Sequence, residues 1–278
     1  MRTTLIAALS ALPLLSVAQD LPQPSPKGSV EQVVGLTEIE VEYSRPSMKG
    51  RKIFGELVPF GEVWRTGANQ CTIIELDGPV KVEGQDLAEG KYSLFTIPSA
   101  DTWVIIFNKN TELWGEGDRK DEEDVLRVKV KPAKLTEAVE NFTIGFDAVK
   151  DDKAVLTLRW ENTAVNVGIE ADATEKAMAN IKEALAKKDA DFRAYHGSAR
   201  FLVDRNKNLT DALAWAEKST SMEKKYWNMH TLALAQAANG QYKAAMATAE
   251  ESMKLAQEAK NEAYVKMNKE KMEAWKGK

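Results

Sequence analysis

Ile39, Val41 and Tyr43 alternate with Glu38, Glu40 and Glu42, the period of two expected of a strand with one buried face. The same reading predicts further short strands at 73–76, 91–97, 103–108, 126–130, 142–146, 155–160 and 165–169. Turn signals divide them: Asp77-Gly78-Pro79, Glu83-Gly84, Glu89-Gly90 and Lys150-Asp151-Asp152. Many short strands without a helical pattern between them predict an all-β sandwich or barrel-like domain over residues 29–170.

A helical period takes over near Glu170. Ala177, Ile181, Ala184 and Leu185 share one helical face, and Leu209, Ala212, Leu213 and Ala216 share another. Trp227, Thr231, Leu234, Ala235 and Ala238 form a third stripe, and Tyr242, Ala245, Met246, Ala249 and Met253 a fourth. Tyr264, Met267, Met272 and Trp275 form a less regular fifth. Within this half Leu209-x-x-Ala212-x-x-x-Ala216-Glu217-x-Ser219 recurs as Tyr242-x-x-Ala245-x-x-x-Ala249-Glu250-x-Ser252, at a constant offset of 33 residues. That is close to the tetratricopeptide unit of about 34 residues. Small residues at Ala212 and Ala245 let paired helices approach, and Gly240 turns the chain between them. The prediction is a multidomain chain, with all-α tetratricopeptide-like hairpins over 171–278 following the β-domain.

The first eighteen residues differ from both halves. Arg2 precedes an uncharged apolar run at 5–15, and Ser16-Val17-Ala18 places small residues before a cut ahead of Gln19. The run has the length of a signal-peptide core and falls short of the roughly 20 apolar residues that span a bilayer. Residues 1–18 are therefore expected to direct export to the periplasm or beyond and to be removed. Pro22, Pro24 and Pro26 mark 19–28 as a Pro-rich tether.

The net charge is −4, and losing Arg2 makes the mature chain more acidic. It carries no electrostatic footprint for nucleic acid or an anionic membrane. No other segment is apolar over a bilayer's width, so no stable membrane insertion is expected. Cys71 is the sole cysteine, which excludes an internal disulfide and a cysteine zinc cluster and suits a buried, inert thiol in a strand. His196 and His230 both fall in the helical half, so the β-domain holds neither a histidine-assisted nucleophile nor a histidine metal site. No metal and no cofactor are expected.

The segment 43–69 fits neither period. It mixes Arg45, Arg51, Lys52 and Arg65 with Phe54, Phe60 and Trp64, among Pro46, Gly50, Gly55, Pro59, Gly61 and Gly67. Long structured loops in compact domains often bind ligands. The cations suit a carboxylate, phosphate or sulfate, and the rings suit a sugar or peptide side chain. Arg45, Arg51, Lys52, Trp64, Arg65 and Asn69 are the ligand-binding candidates. A purely structural alternative stands beside this one, in which Arg45 and Arg65 brace loop carbonyls and Trp64 plugs one end of the sandwich.

Arg45-Pro46-Ser47-x-Lys49-Gly50-Arg51-x-Ile53-Phe54-Gly55 and Val63-Trp64-Arg65-Thr66-Gly67-Ala68-Asn69 resemble an exported bacterial family known as domain of unknown function 2911. So do Gly90-Lys91-Tyr92-Ser93-Leu94-Phe95-Thr96-Ile97-Pro98 and Trp103-x-x-Ile106-Phe107-Asn108-Lys109. The resemblance covers roughly residues 22–170. It implies export and a β-domain followed by tetratricopeptide-like helices, and it brings no known activity. Cys71 stands where a small residue is expected in that family, which speaks against a shared thiol chemistry.

Other chemistry is weakly signalled. Ser47-Met48-Lys49 is one residue short of a Ser-x-x-Lys pair. Glu56, Glu62 and Glu75 are candidate carboxylates for glycoside hydrolysis, where their separation decides the outcome. The sequence therefore predicts a non-catalytic binding or scaffold protein of the cell envelope. Its loop 44–69 holds a small molecule or glycan, and its helical repeats dock a protein or peptide. The alternative is a hydrolase of envelope polymer using carboxylates and arginines around the same loop.

Overall fold

The computed structural model of the protein describes residues 21–278, so the expected leader at 1–18 lies outside the described residues. Two units divide between Ala173 and Thr174. No helix of the described residues is long and apolar enough to cross a membrane.

The first unit is a sandwich of two antiparallel sheets. One sheet runs in the order β1-β2-β3-β6-β7-β8 and the other β5-β4-β10-β9. The strands of the larger sheet are β1 (Lys27–Val34), β2 (Thr37–Ser44), β3 (Thr72–Leu76), β6 (Gly90–Ile97), β7 (Trp103–Asn108) and β8 (Asp124–Val130). Those of the smaller are β4 (Val80–Val82), β5 (Gln85–Leu87), β9 (Pro132–Lys150) and β10 (Lys153–Glu170). Alternation sets the faces: Ile39, Val41 and Tyr43 of β2 point into the core while its glutamates face outward. One apolar core holds both sheets, with Ile39, Leu94, Ile105 and Phe107 from one side and Phe142, Leu156, Leu158 and Val167 from the other.

Two differences from the sequence reading concern where strands begin and whether they are continuous. Lys27 and Gly28, at the end of the proline-rich stretch, are already the first residues of β1, and they pair with Ser44 and Tyr43. The segments 155–160 and 165–169 are one strand, interrupted by a bulge instead of a turn. The β9–β10 register shifts between Arg159 and Glu161 and again between Glu161 and Thr163, with Glu161 at φ 52°. The polar run Glu161-Asn162-Thr163 hides the continuity because a bulge breaks the alternation without ending the strand.

The second unit contains six helices: α1 (Thr174–Ala186), α2 (Phe192–Arg205), α3 (Leu209–Met222), α4 (Tyr226–Ala238), α5 (Tyr242–Glu258) and α6 (Glu262–Trp275). The repeat of 33 residues places α3 and α5 as the second helices of two pairs. Ala212, Ala245 and Ala249 are fully buried there, and Gly240 makes its turn at φ 77°. The repeated serines do more than save space. Ser219 Oγ donates to Phe192 O at 2.7 Å and Ser252 Oγ to Tyr226 O at 2.6 Å, each tying a second helix to the start of its partner. Asn228 and Asn268 in turn donate to these two hydroxyls, so the buried polar groups satisfy one another.

Both histidines are built into this packing. His196 lies 4.4 Å from the Trp227 ring, and His230 Nδ1 meets Asn268 Oδ1 at 2.8 Å. Burial, reinforced by the charge of Arg200, lowers His196 from 6.5 to about 4. Burial also lowers His230 despite its bond to Asn268. The unfolded chain therefore takes up protons first. The contribution of both rings is complete above pH 6.5 and declines as pH falls toward the folded values. Helix melts by circular dichroism at pH 7.5 and 5.5 are expected to show a lower midpoint at 5.5; an unchanged midpoint contradicts the burial of these rings.

Candidate functional site

The chain between β2 and β3 closes one end of the sandwich. At its start Phe142 N donates to Pro46 O at 2.9 Å and Met48 N to Glu140 O at 2.7 Å, so the loop covers the edge of β9. Further on Gly61 N donates to Pro98 O, and Trp64 exchanges backbone hydrogen bonds with Thr96 at 2.7 and 2.9 Å. The loop is thus stitched to the smaller sheet at one end and to β6 of the larger sheet at the other. Its middle hangs on Ile53, which is fully buried and accepts bonds from Glu56 N and Val58 N.

The turn after Trp64 is strained. Thr66, a β-branched residue, sits at φ 55°, a region such residues rarely enter, while Asn69 at φ 58° takes a conformation that asparagine adopts more readily. Two hydrogen bonds hold Thr66 there: its hydroxyl contacts that of Thr96 at 3.2 Å, and its carbonyl accepts from Thr72 Oγ1 at 2.7 Å.

The six predicted residues separate into braces and free groups. Trp64 is only 8% exposed, stacks at 5.8 Å on Trp160 and meets Phe54, Trp103 and Phe142 edge-on. Its indole donates to Gly67 O at 3.0 Å, so it is a core plug and not an open stacking platform. Arg45 donates to Phe142 O and Thr143 Oγ1, pinning the loop to β9. Asn69 donates to Ser25 O and Ser44 Oγ. Arg65 is fully engaged, pairing with Glu116 at 3.0 Å and donating to the carbonyls of Asn69 and Trp114. Lys52 pairs on the surface with Glu56 at 3.5 Å. Arg51 differs: Nε and Nη2 donate to Met48 O and Ser47 O, while Nη1 has no partner among the described residues.

Four of the six meet in one cleft. Arg51, Trp64, Arg65 and Asn69 line a hollow of about 380 Å³ together with Leu57, Glu62, Glu116 and Trp160. Arg45 and Lys52 stand outside it. Two arginines face two glutamates, so the cleft is close to neutral. An anion would have to displace Glu116 from Arg65, which disfavours the simple anion trap suggested by the sequence. Of the carboxylates considered for hydrolysis, only Glu62 lines the cleft; Glu75 pairs with Lys91 at 2.6 Å elsewhere.

Glu116 and Trp114 were not among the six candidates, although Trp114 is one of the four tryptophans of the β-domain (with Trp64, Trp103 and Trp160) that invite a carbohydrate reading of the sequence. Both belong to the connection between β7 and β8, which Arg65 draws against the loop. Trp114 is 67% exposed. The available signal was a tryptophan in a turn-rich stretch, Trp114-Gly115-Glu116-Gly117, outside any apolar strand. Cys71 is buried beside this connection, its thiol 3.5 Å from Gly115 O, and desolvation pushes it up to about 11. Such a thiol is unreactive at neutral pH.

These features define a class: a two-sheet sandwich whose long β2–β3 loop is braced across one end, joined in sequence to a helical-repeat domain. The sequence profile of the family described as "Protein of unknown function (DUF2911)" matches residues 25–169, and the chain belongs to that family. No curated protein and no solved structure matches the chain.

Proposed function

We propose that this is an exported, non-catalytic binding or scaffold protein of the cell envelope. The β-domain holds a small molecule or glycan in the cleft beneath loop 44–69, and the helical pairs dock a protein or peptide. The supporting observation is the convergence of Arg51, with an uncommitted guanidinium donor, and the braced pair Arg65–Glu116 around one hollow. Braced polar groups beside buried rings give a preformed site with little ordering cost.

The test is isothermal titration of the mature chain with the soluble glycan and peptide fraction of a bacterial envelope. Arg51→Ala is expected to weaken binding about tenfold or more, since a charge-assisted hydrogen bond is worth roughly 1.5–3 kcal/mol. Its thermal midpoint should stay near that of the parent chain. Undiminished binding in this variant overturns the cleft assignment. A second reading, hydrolysis of envelope polymer, is favoured by Glu62 and Glu116 sharing the cleft. It requires turnover of the bound material that Glu62→Gln abolishes.

A further inference from the structure

A second cavity lies on the other side of the same loop, and its chemistry is more specific. It measures about 310 Å³, within the range of small-molecule sites. Phe54, Phe60 and Trp103 supply the apolar part of its lining, and Ser99, Glu161 and Asn162 the polar part. We infer that this cavity is a binding site for the neutral pyranose ring of an oligosaccharide, independent of the cleft beneath Arg51.

Three observations carry the inference. The first is the indole of Trp103. Trp64 and Trp160 each donate to a backbone carbonyl, Gly67 O and Glu140 O. Trp103 is 2% exposed and lines the cavity, yet its indole N–H has no acceptor among the described residues. The N–H is not among the buried polar atoms without a partner, so solvent reaches it, and a ligand oxygen in the cavity can take the place of that water.

The second observation is the bulge in β10. Glu161 is held at φ 52°, a backbone state that non-glycine residues enter at a cost and that concentrates at functional positions. The bulge turns Glu161, Asn162 and Thr163 toward the same cavity. Glu161 Oε2 makes only a long contact, 3.5 Å, to Phe54 N, and its carboxylate has no cation within ion-pair distance among the described residues. A carboxylate and an adjacent carboxamide are acceptor-rich, planar groups that suit neighbouring hydroxyls.

The third is the exposed ring of Phe60, 47% accessible at the mouth. A sugar ring presents an apolar C–H face to such a ring and hydroxyls at its edge. Charge selects against the other ligand classes. Lys134 also lines the cavity and offsets Glu161, leaving no net attraction for an ion. A wholly apolar ligand would strip water from Glu161 and Asn162 without replacing it.

The test is calorimetric titration of the full mature chain with cellotetraose, maltotetraose and chitotetraose. At least one is expected to bind saturably. Phe60→Ala and Glu161→Gln should each weaken that binding about tenfold or more, and Trp103→Phe, which removes only the N–H donor and part of the ring, about three- to tenfold. Melts accompany each variant, because Phe60 is surface-exposed and Gln keeps the shape of Glu161, so both should fold as the parent does. Absence of saturable binding with all three probes overturns the inference. Binding that withstands Phe60→Ala and Glu161→Gln but is lost in Arg51→Ala also overturns it, while leaving the proposed function standing.

Discussion

Replacing Trp64 with Ala is expected to lower the stability of the β-domain by about 3–5 kcal/mol, the usual range for truncating a buried large aromatic. The residue touches four other rings, Phe54, Trp103, Phe142 and Trp160, contributed by the loop, β7, β9 and β10. Truncation therefore opens a cavity where both sheets and their closing loop meet. It also leaves the Gly67 carbonyl without its donor. Denaturant melts followed by near-ultraviolet circular dichroism measure this directly. A midpoint within experimental error of the parent chain would mean that the indole faces solvent, and the account of the loop as a plug would be wrong.

Removing the carboxylate of Asp124 should have an effect of similar size. Asp124 is 4% exposed at the start of β8 and receives Arg119, Arg127 and Asn108. Arg119, itself 5% exposed, lies 5.5 Å over the Phe95 ring, and its Nε is buried without an acceptor. Asp124→Ala would leave a buried guanidinium with only the exposed Asp121 as counter-charge. Breaking a buried pair from one side costs about 3–5 kcal/mol. Pairing Asp124→Leu with Arg119→Met should recover much of that loss, because no buried charge then remains, and the half-exposed Arg127 keeps its pair with the exposed Asp121. Equal instability of the single and double variants would contradict this. The cluster matters beyond stability, since it anchors the β7–β8 connection that carries Trp114 and Glu116 to Arg65.

The two-part architecture was legible because each part has a clear period. β2 shows the alternation in its bare form, and the serine-containing repeat marks α3 and α5 by spacing alone. Other elements were hidden for physical reasons. β1 is only partly buried on one face, and β4 and β5 are three residues each, too short for a period to register. β9 runs for nineteen residues, but only Phe142 and Ile144 are fully buried, so the pattern reported its centre and missed its ends.

At the candidate site, residue types were readable and directions were not. Trp64 and Phe60 lie four residues apart in one loop, yet one ring plugs the core and the other meets solvent. That outcome depends on Thr96 and Thr66, which set the turn through long-range pairing and a strained backbone. Arg65 was visible as a cation, but its neutralising partner Glu116 is distant in sequence and becomes a neighbour only through the fold. The bulge at Glu161 had no sequence signal beyond a polar interruption.

Nitrogen-15 labelling of the seven tryptophans gives the most direct test that the β-domain holds a ligand without consuming it. The indole N–H signals of Trp64 and Trp160 report on the cleft beneath Arg51, and that of Trp103 on the cavity beneath Phe60. Titration of the chain with the envelope fraction should move at least one of these signals saturably, with the bound material recovered intact. No movement of any of the three at saturating load, or breakdown of the material during the titration, would contradict it.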